Sequence, residues 1–396
     1  MLLTVLFDLD DTLLLTNMDR FMPAYFEILG QALSHLGSQE KITEQIHHAV
    51  EKMVSNQNPE LTLKEVFDSH FYAPLGTTEE ACKQRLHNFY DQEYPQLKPI
   101  TQTKRAAPKL IEWCQSQRMR IAIATNPLFP QAATRHRITW AGLDPTDFAF
   151  FTTYDDFHFT KPHLAYYAEV LGRLGWPETP IVMIGDSLTY DLFPMNDMGY
   201  QTYWVNQEDT SVKWVGGALS QVKPWLKQVL QNDKSLPSDH PEVNIAILRS
   251  TPAVIDTWLR QIPDRSREQQ PPKQDLNSMK VFSGLADQEN MVFQPLWHQL
   301  INNPKMPLPS LNDLTNQGSF LDNLQTLQQA FNRFLQARQI SLEIIDNLYQ
   351  NSAFNISPDQ QQENMATIGG ILGFIAKNDR RILQKLINLL NIYKIY

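Results

Sequence analysis

Phe7-Asp8-Leu9-Asp10-Asp11-Thr12 follows directly on the apolar run Thr4-Val5-Leu6. An apolar run of this length bounded by polar residues reads as a buried strand, so the acids stand at a strand's carboxyl end. On the strand alternate residues share a face, but where the chain turns both Asp8 and Asp10 can point into one cleft. Adjacent carboxylates repel unless they share a cation or a proton. A single Asp here would read as a turn or a helix N-cap. Three acids, with an apolar strand before them and Thr12 behind, read as a site.

Outward from this point the first 206 residues hold five such runs, at 4–9, 120–124, 148–153, 180–184 and 201–205. Helical patterns separate the last four, as over 161–174, and alternation of this kind implies a parallel α/β sheet. About 100 residues intervene between the first and second runs. They read as helices over 24–36, 42–54, 63–71 and 78–90, an all-helical lobe inserted over the sheet's carboxyl edge. A closing helix over 220–230 leads into a polar, Pro-containing linker. Beyond it helical patterns run over 243–261, 278–302, 320–348 and 365–390, and four amphipathic helices suggest a bundle. The expected fold is a Rossmann-like parallel sheet with an inserted helical cap, followed by an all-α four-helix bundle. Its parts are a core over 1–16 and 98–231, a cap over 17–97, a linker over 232–242 and a bundle over 243–396.

Three further pieces fall at the ends of later strands. Thr125-Asn126-Pro127 offers a hydroxyl and an amide that suit a phosphoryl oxygen, although Thr and Asn equally cap helices. Lys161-Pro162 could place a compact positive charge beside a phosphate; in isolation it reads as a solvated lysine. In Gly185-Asp186-Ser187-Leu188-Thr189-Tyr190-Asp191 one acid sits at the strand tip and another a turn later. That spacing suits a hard, oxygen-ligated cation, and Mg²⁺ takes few carboxylates together with waters and substrate phosphate. The histidines read as surface or packing residues, with His158 and His163 flanking Lys161 near enough to touch substrate. Residues 17–21 face the cleft by position and are candidate specificity contacts.

In this order the four pieces resemble the signature of the haloacid dehalogenase superfamily of phosphohydrolases, over roughly residues 1–230. The inserted helices are similar to the cap of its phosphoglycolate-phosphatase-like branch. The resemblance implies Asp8 as nucleophile and Asp10 as general acid, then base. It implies Thr125, Asn126 and Lys161 around the phosphoryl group, and Mg²⁺ on Asp186, Asp8 and the Asp10 carbonyl. Asp191 would be a direct or indirect metal partner. The activity implied is Mg²⁺-dependent hydrolysis of a small phosphorylated metabolite through an aspartyl-phosphate. The alternatives are a phosphomutase-type transferase, or a non-catalytic protein that senses phosphate and binds a partner.

The second half resembles DinB-like four-helix bundles, which carry three metal-binding histidines. Here Gly284 stands in Gly284-Leu285-Ala286-Asp287 where the first would be, and Asn378 and Ile382 replace the other two. The bundle is therefore expected to be metal-free and to serve folding, dimerisation or a protein partner. Composition bounds the rest. The net charge is −9, and the first 239 residues carry 20 Lys and Arg against 29 Asp and Glu. No basic cluster marks a nucleic-acid site. No apolar run of eighteen residues suggests a membrane span, and no leader pattern follows Met1. With only Cys82 and Cys114 present, a reducing cytoplasm is the expected compartment.

Overall fold

The computed structural model describes residues 3–206, 214–230, 237–262, 276–302, 326–350 and 368–389. The first part of the expected linker, the start of the third bundle helix and both ends of the fourth expected helix lie outside them. The chain divides into two compact units, Met1–Val170 with Pro177–Pro237 and Leu171–Trp176 with Ser238–Tyr396.

The first unit is built on β1 (Thr4–Phe7). Val5, Leu6 and Phe7 are fully buried, as a strand covered on both faces requires. Two short strands, β2 (Leu14–Thr16) and β3 (Thr101–Thr103), pair antiparallel where the chain leaves the core and returns to it. The sheet is completed by β4 (Arg120–Ile123), β5 (Ile181–Gly185), β6 (Gln201–Val205) and β7 (Gly216–Gly217). Its order is β4-β1-β5-β6-β7 and every pair is parallel. The expected strand over 148–153 is reduced to one bridge, Phe151 with Ile123. Ala149 N–H and Thr152 N–H still donate to Ile121 and Ile123 carbonyls, so the segment trims the free edge of β4 without extending regularly.

The inserted lobe comprises α1 (Met18–Ala32), α2 (Gln39–Val54), α3 (Leu63–Phe71) and α4 (Glu79–Asn88). Each begins at a side-chain cap that satisfies an orphan N–H: Asn17, Ser38, Thr62 and Thr78. Asn17 starts α1 six residues before the expected position, and Pro23 in the second turn does not end the helix. Phe21, Tyr25, Phe89, Tyr94, Phe129 and Trp140 meet edge to face, tilted or stacked, with ring centroids 5.4–6.5 Å apart. The core helices are α5 (Ala106–Ser116), α6 (Gln131–Trp140), α7 (Leu164–Arg173), α8 (Phe193–Asp197) and α9 (Val222–Val229).

The described residues of the second unit that follow Ser238 are almost wholly helical: α10 (Pro241–Arg260), α11 (Leu276–Gln288), α12 (Gln294–Asn302), α13 (Leu327–Gln350) and α14 (Ile368–Leu389). A π-turn over Glu289–Phe293 joins α11 to α12, so the expected single helix over 278–302 is one run with a bulge. Trp258, Trp297, Phe282 and Phe334 fill the interior. At its centre Arg338, 1% exposed, donates to Glu289 at 2.6 Å, to Asp379 at 2.5 and 3.1 Å, and to the Leu248 carbonyl at 3.1 Å. Ser341 completes the cluster with a 2.5 Å bond to Glu289. No described helix is long and apolar enough to cross a membrane.

Candidate active site

Because β1 lies between β4 and β5, the residues that follow these three strands are neighbours by register. Phe7 pairs with Ile123 on one side and Ile184 on the other, which brings Asp8, Thr125 and Asp186 to one edge. Asp8 is held there by its own N–H, bonded to the Ile184 carbonyl at 2.9 Å. The chain then reverses at Asp11, whose φ of 57° is left-handed, a conformation Asp tolerates better than most residues. The Asp11 carboxylate accepts Thr16 N–H at 2.9 Å and closes the turn.

Lys161 is 2% exposed, and its ammonium donates to Asp8 Oδ1 at 2.8 Å and Asp191 Oδ1 at 2.6 Å. Its backbone N–H donates to Asn126 Oδ1 at 3.3 Å, and the Lys161–Pro162 peptide is cis. The Thr125 carbonyl is fixed by Thr152 and Tyr166 hydroxyls at 2.6 and 2.7 Å. Asp191 lies in a π-turn, with Oδ2 accepting Ser187 N–H at 3.1 Å. It reaches the strand tip because residue 185 is glycine: a Cβ there would stand 2.3 Å from Asp191 Oδ2. Thr12 Oγ1 donates to Asp186 Oδ1 at 3.3 Å.

Asp8, Asp186 and Asp191 present carboxylate oxygens within 4.8 Å of one another. Burial, reinforced by Asp8 and Asp191, pushes the Asp186 carboxyl up to about 7. Asp191 rises to about 6 through burial, opposed by Lys161 and reinforced by Asp8. Burial would lower the Lys161 ammonium, but Asp191 and Asp8 outweigh it and keep it protonated. One buried cation thus faces three crowded acids, and the excess negative charge on hard oxygen donors fits a divalent ion such as Mg²⁺.

The side chain of Asp10 is turned elsewhere. Its Oδ1 accepts Thr16 Oγ1 at 2.8 Å and its Oδ2 accepts Arg137 Nη1 at 2.5 Å. Burial holds its carboxyl above the ordinary range against the pull of Arg137. Arg137, on α6, is 1% exposed, with its guanidinium 4.3 Å above the Phe129 ring. Sequence reasoning missed it. Its one signal was an arginine on the buried stripe of Ala133, Thr134, Ile138 and Ala141.

Apart from the Asp10 side chain, the residues singled out at the strand ends come to this one edge. The flanking histidines do not reach it. His158 is fully buried and bonded through Nδ1 to Glu169 at 2.9 Å, and His163 bonds the Val54 carbonyl at 3.0 Å. Of residues 17–21, Met18 lines the cleft while Asn17 caps α1 and Phe21 is core. A cavity of about 450 Å³ opens from Asp10, Thr125 and Asn126 towards α1, α2 and α3.

The sheet order and the acids after β1 and β5 define the class, and the family description "haloacid dehalogenase-like hydrolase" matches residues 2–199. The chain belongs to that family and is an enzyme of its hydrolase type. Among solved structures, a HAD phosphatase from Thermococcus onnurineus is 20% identical, with a TM-score of 0.38, covering 56% of this chain and 97% of that one. A HAD-hydrolase of Bacillus subtilis bound to magnesium is 22% identical, with a TM-score of 0.36 and coverage of 58% and 99%. An L-2-haloacid dehalogenase is 16% identical, with a TM-score of 0.37 and coverage of 58% and 100%. No curated protein matches the chain.

Proposed function

We propose that the protein is a Mg²⁺-dependent phosphomonoesterase that works through an aspartyl-phosphate on Asp8 and acts on a small phosphorylated metabolite. The observation that carries this reading is the arrangement of Asp8, Lys161, Asp186 and Asp191 around one strand edge, with a second acid, Asp10, beside it on different partners. An Asp8 oxygen attacks phosphorus, and the bond to the ester oxygen breaks. The departing alkoxide takes its proton from Asp10, whose raised affinity for a proton suits a general acid. A water molecule, giving its proton to Asp10, then attacks the phosphorus of the acyl-phosphate. Phosphate leaves and the Asp8 carboxylate is restored. Lys161 offsets charge on the phosphoryl oxygens, and Thr125 and Asn126 hold them. Mg²⁺ on Asp8, Asp186 and Asp191, with the Asp10 carbonyl, would supply further charge stabilisation there.

In the same reading the second unit is a metal-free relative of the DinB-like bundles, serving folding or a protein partner. Asp379, next to Asn378, supports this, since its carboxylate is engaged by Arg338. Two buried free thiols, Cys82 and Cys114, agree with a cytoplasmic setting.

The test is phosphate release from a panel of phosphomonoesters with Mg²⁺ and with chelator. Net release that requires Mg²⁺ and falls more than about 10³-fold in Asp8→Asn is expected. Transfer between positions of a sugar phosphate without net release would instead identify a phosphomutase. Full activity after chelation would remove the metal from the mechanism.

A further inference from the structure

The cavity that opens from Asp10, Thr125 and Asn126 is walled on the cap side by Met22, Phe26, Leu29, Ile46, Val50 and Phe67. These come from α1, α2 and α3, so three helices turn apolar side chains towards the reacting edge. Its polar margin includes Asp10, Arg137 and four tyrosines, Tyr25, Tyr72, Tyr90 and Tyr154. Asp10 and Arg137 are paired with each other, and the Tyr25 and Tyr90 hydroxyls are bonded together at 3.0 Å. His47 stands at the exposed rim. A sugar placed here would surrender hydroxyl–water bonds and find few partners, at a cost of one to several kcal/mol for each group left unpaired. An apolar group would lose nothing and would fill a volume in the usual range of ligand sites.

We propose that the substrate is the phosphomonoester of an apolar alcohol, with its alkyl or aryl-alkyl group seated against α1, α2 and α3. This rests on the phosphohydrolase reading above and adds the chemistry of the leaving group. The phosphoryl end meets Asp8, Lys161 and Thr125, while the organic end meets no free charge. Discrimination then comes from apolar contact on one side and from unpaired hydroxyls on the other.

The experiment uses the full chain with Mg²⁺ and a series of ethyl, butyl, hexyl and 2-phenylethyl phosphates against glucose 6-phosphate. Their alcohols differ little in acidity, so the series reports on the cavity. kcat/KM is expected to rise about threefold to fourfold per added methylene until the space is filled. The 2-phenylethyl ester should exceed glucose 6-phosphate by about 100-fold or more. A flat series, or preference for the sugar, with phosphate still released, would overturn the apolar-substrate proposal and leave the phosphatase reading standing. If no ester is hydrolysed, the phosphatase reading falls and binding decides the cavity. 2-Phenylethylphosphonate should bind by calorimetry, and Val50→Trp, checked for native circular dichroism, should weaken it at least about tenfold by filling the space. No binding to the unmodified chain, or equal binding to a folded Val50→Trp protein, would overturn the proposal.

Discussion

Lys161→Met should lower activity and at the same time tighten Mg²⁺ binding. The ammonium lies 2.8 Å from Asp8 and 2.6 Å from Asp191, two of the three carboxylates that would hold the ion. Two cations sharing the same carboxylates repel. At about 5 Å a single and a double charge repel by roughly 2 kcal/mol at an effective dielectric of 80, and by roughly 7 kcal/mol at 20. Taking the lower end, loss of the ammonium should improve Mg²⁺ affinity at least about tenfold. The metal-free variant should be the less stable protein, because a buried ion pair broken on one side costs about 3–5 kcal/mol. Mg²⁺ should return much of that loss, giving a larger rise in Tm on titration than the unmodified chain shows. Turnover should nonetheless fall by about 10²–10³-fold or more, since one preorganised donor to the phosphoryl oxygens is gone. Calorimetric Mg²⁺ titration, Tm with and without Mg²⁺, and kcat/KM on one ester make the assay. A folded variant that has lost activity but binds Mg²⁺ no more tightly would refute the shared-carboxylate arrangement.

Arg338→Met should destabilise the second unit by about 3–5 kcal/mol, because it strands Glu289 and Asp379, 2% and 0% exposed, without their cation. Adding Glu289→Gln and Asp379→Asn should recover a good part of that loss in denaturant unfolding; no recovery would mean the charges were not the cause. Asp155→Asn should stabilise the protein above neutrality. Burial, opposed by the Gln131 N–H and reinforced by Asp156, pushes Asp155 up to about 6. An acid raised on folding loses stability as pH climbs from about 4 to about 6, by up to roughly 3 kcal/mol for a two-unit shift. The variant should therefore show a flatter stability curve between pH 4.5 and 7 than the unmodified chain.

The front half of the molecule was legible because its signals are local. Each strand is a short apolar run, and the chemistry follows at its end, so Asp8, Thr125 and Asp186 could be read one strand at a time. What brings them together is strand order, which no single run contains. The edge segment over 148–153 looked like the other runs, yet only Phe151 forms a bridge. A run with a neighbour on one side alone has less to hold it regular. The pair β2–β3 was missed because three-residue strands carry no period, and the cavity because its walls are spread over three helices.

Two arginines show where a sequence could have yielded more. Arg137 lies on the buried stripe of α6, and Arg338 on that of α13 with Phe331, Phe334 and Ile345. Guanidinium does not give up its proton in proteins, so an arginine in an apolar stripe must be brought to an acid or a carbonyl. In each case the partner comes from a distant part of the chain: Asp10 for Arg137, Glu289 and Asp379 for Arg338. The demand for a partner is therefore readable from one helix, while its identity depends on packing. In the first unit that demand falls on the acid proposed to deliver the proton. Arg137 thus joins the cap-facing wall to the chemistry, and the charge of Asp10 depends on a residue that no motif contains.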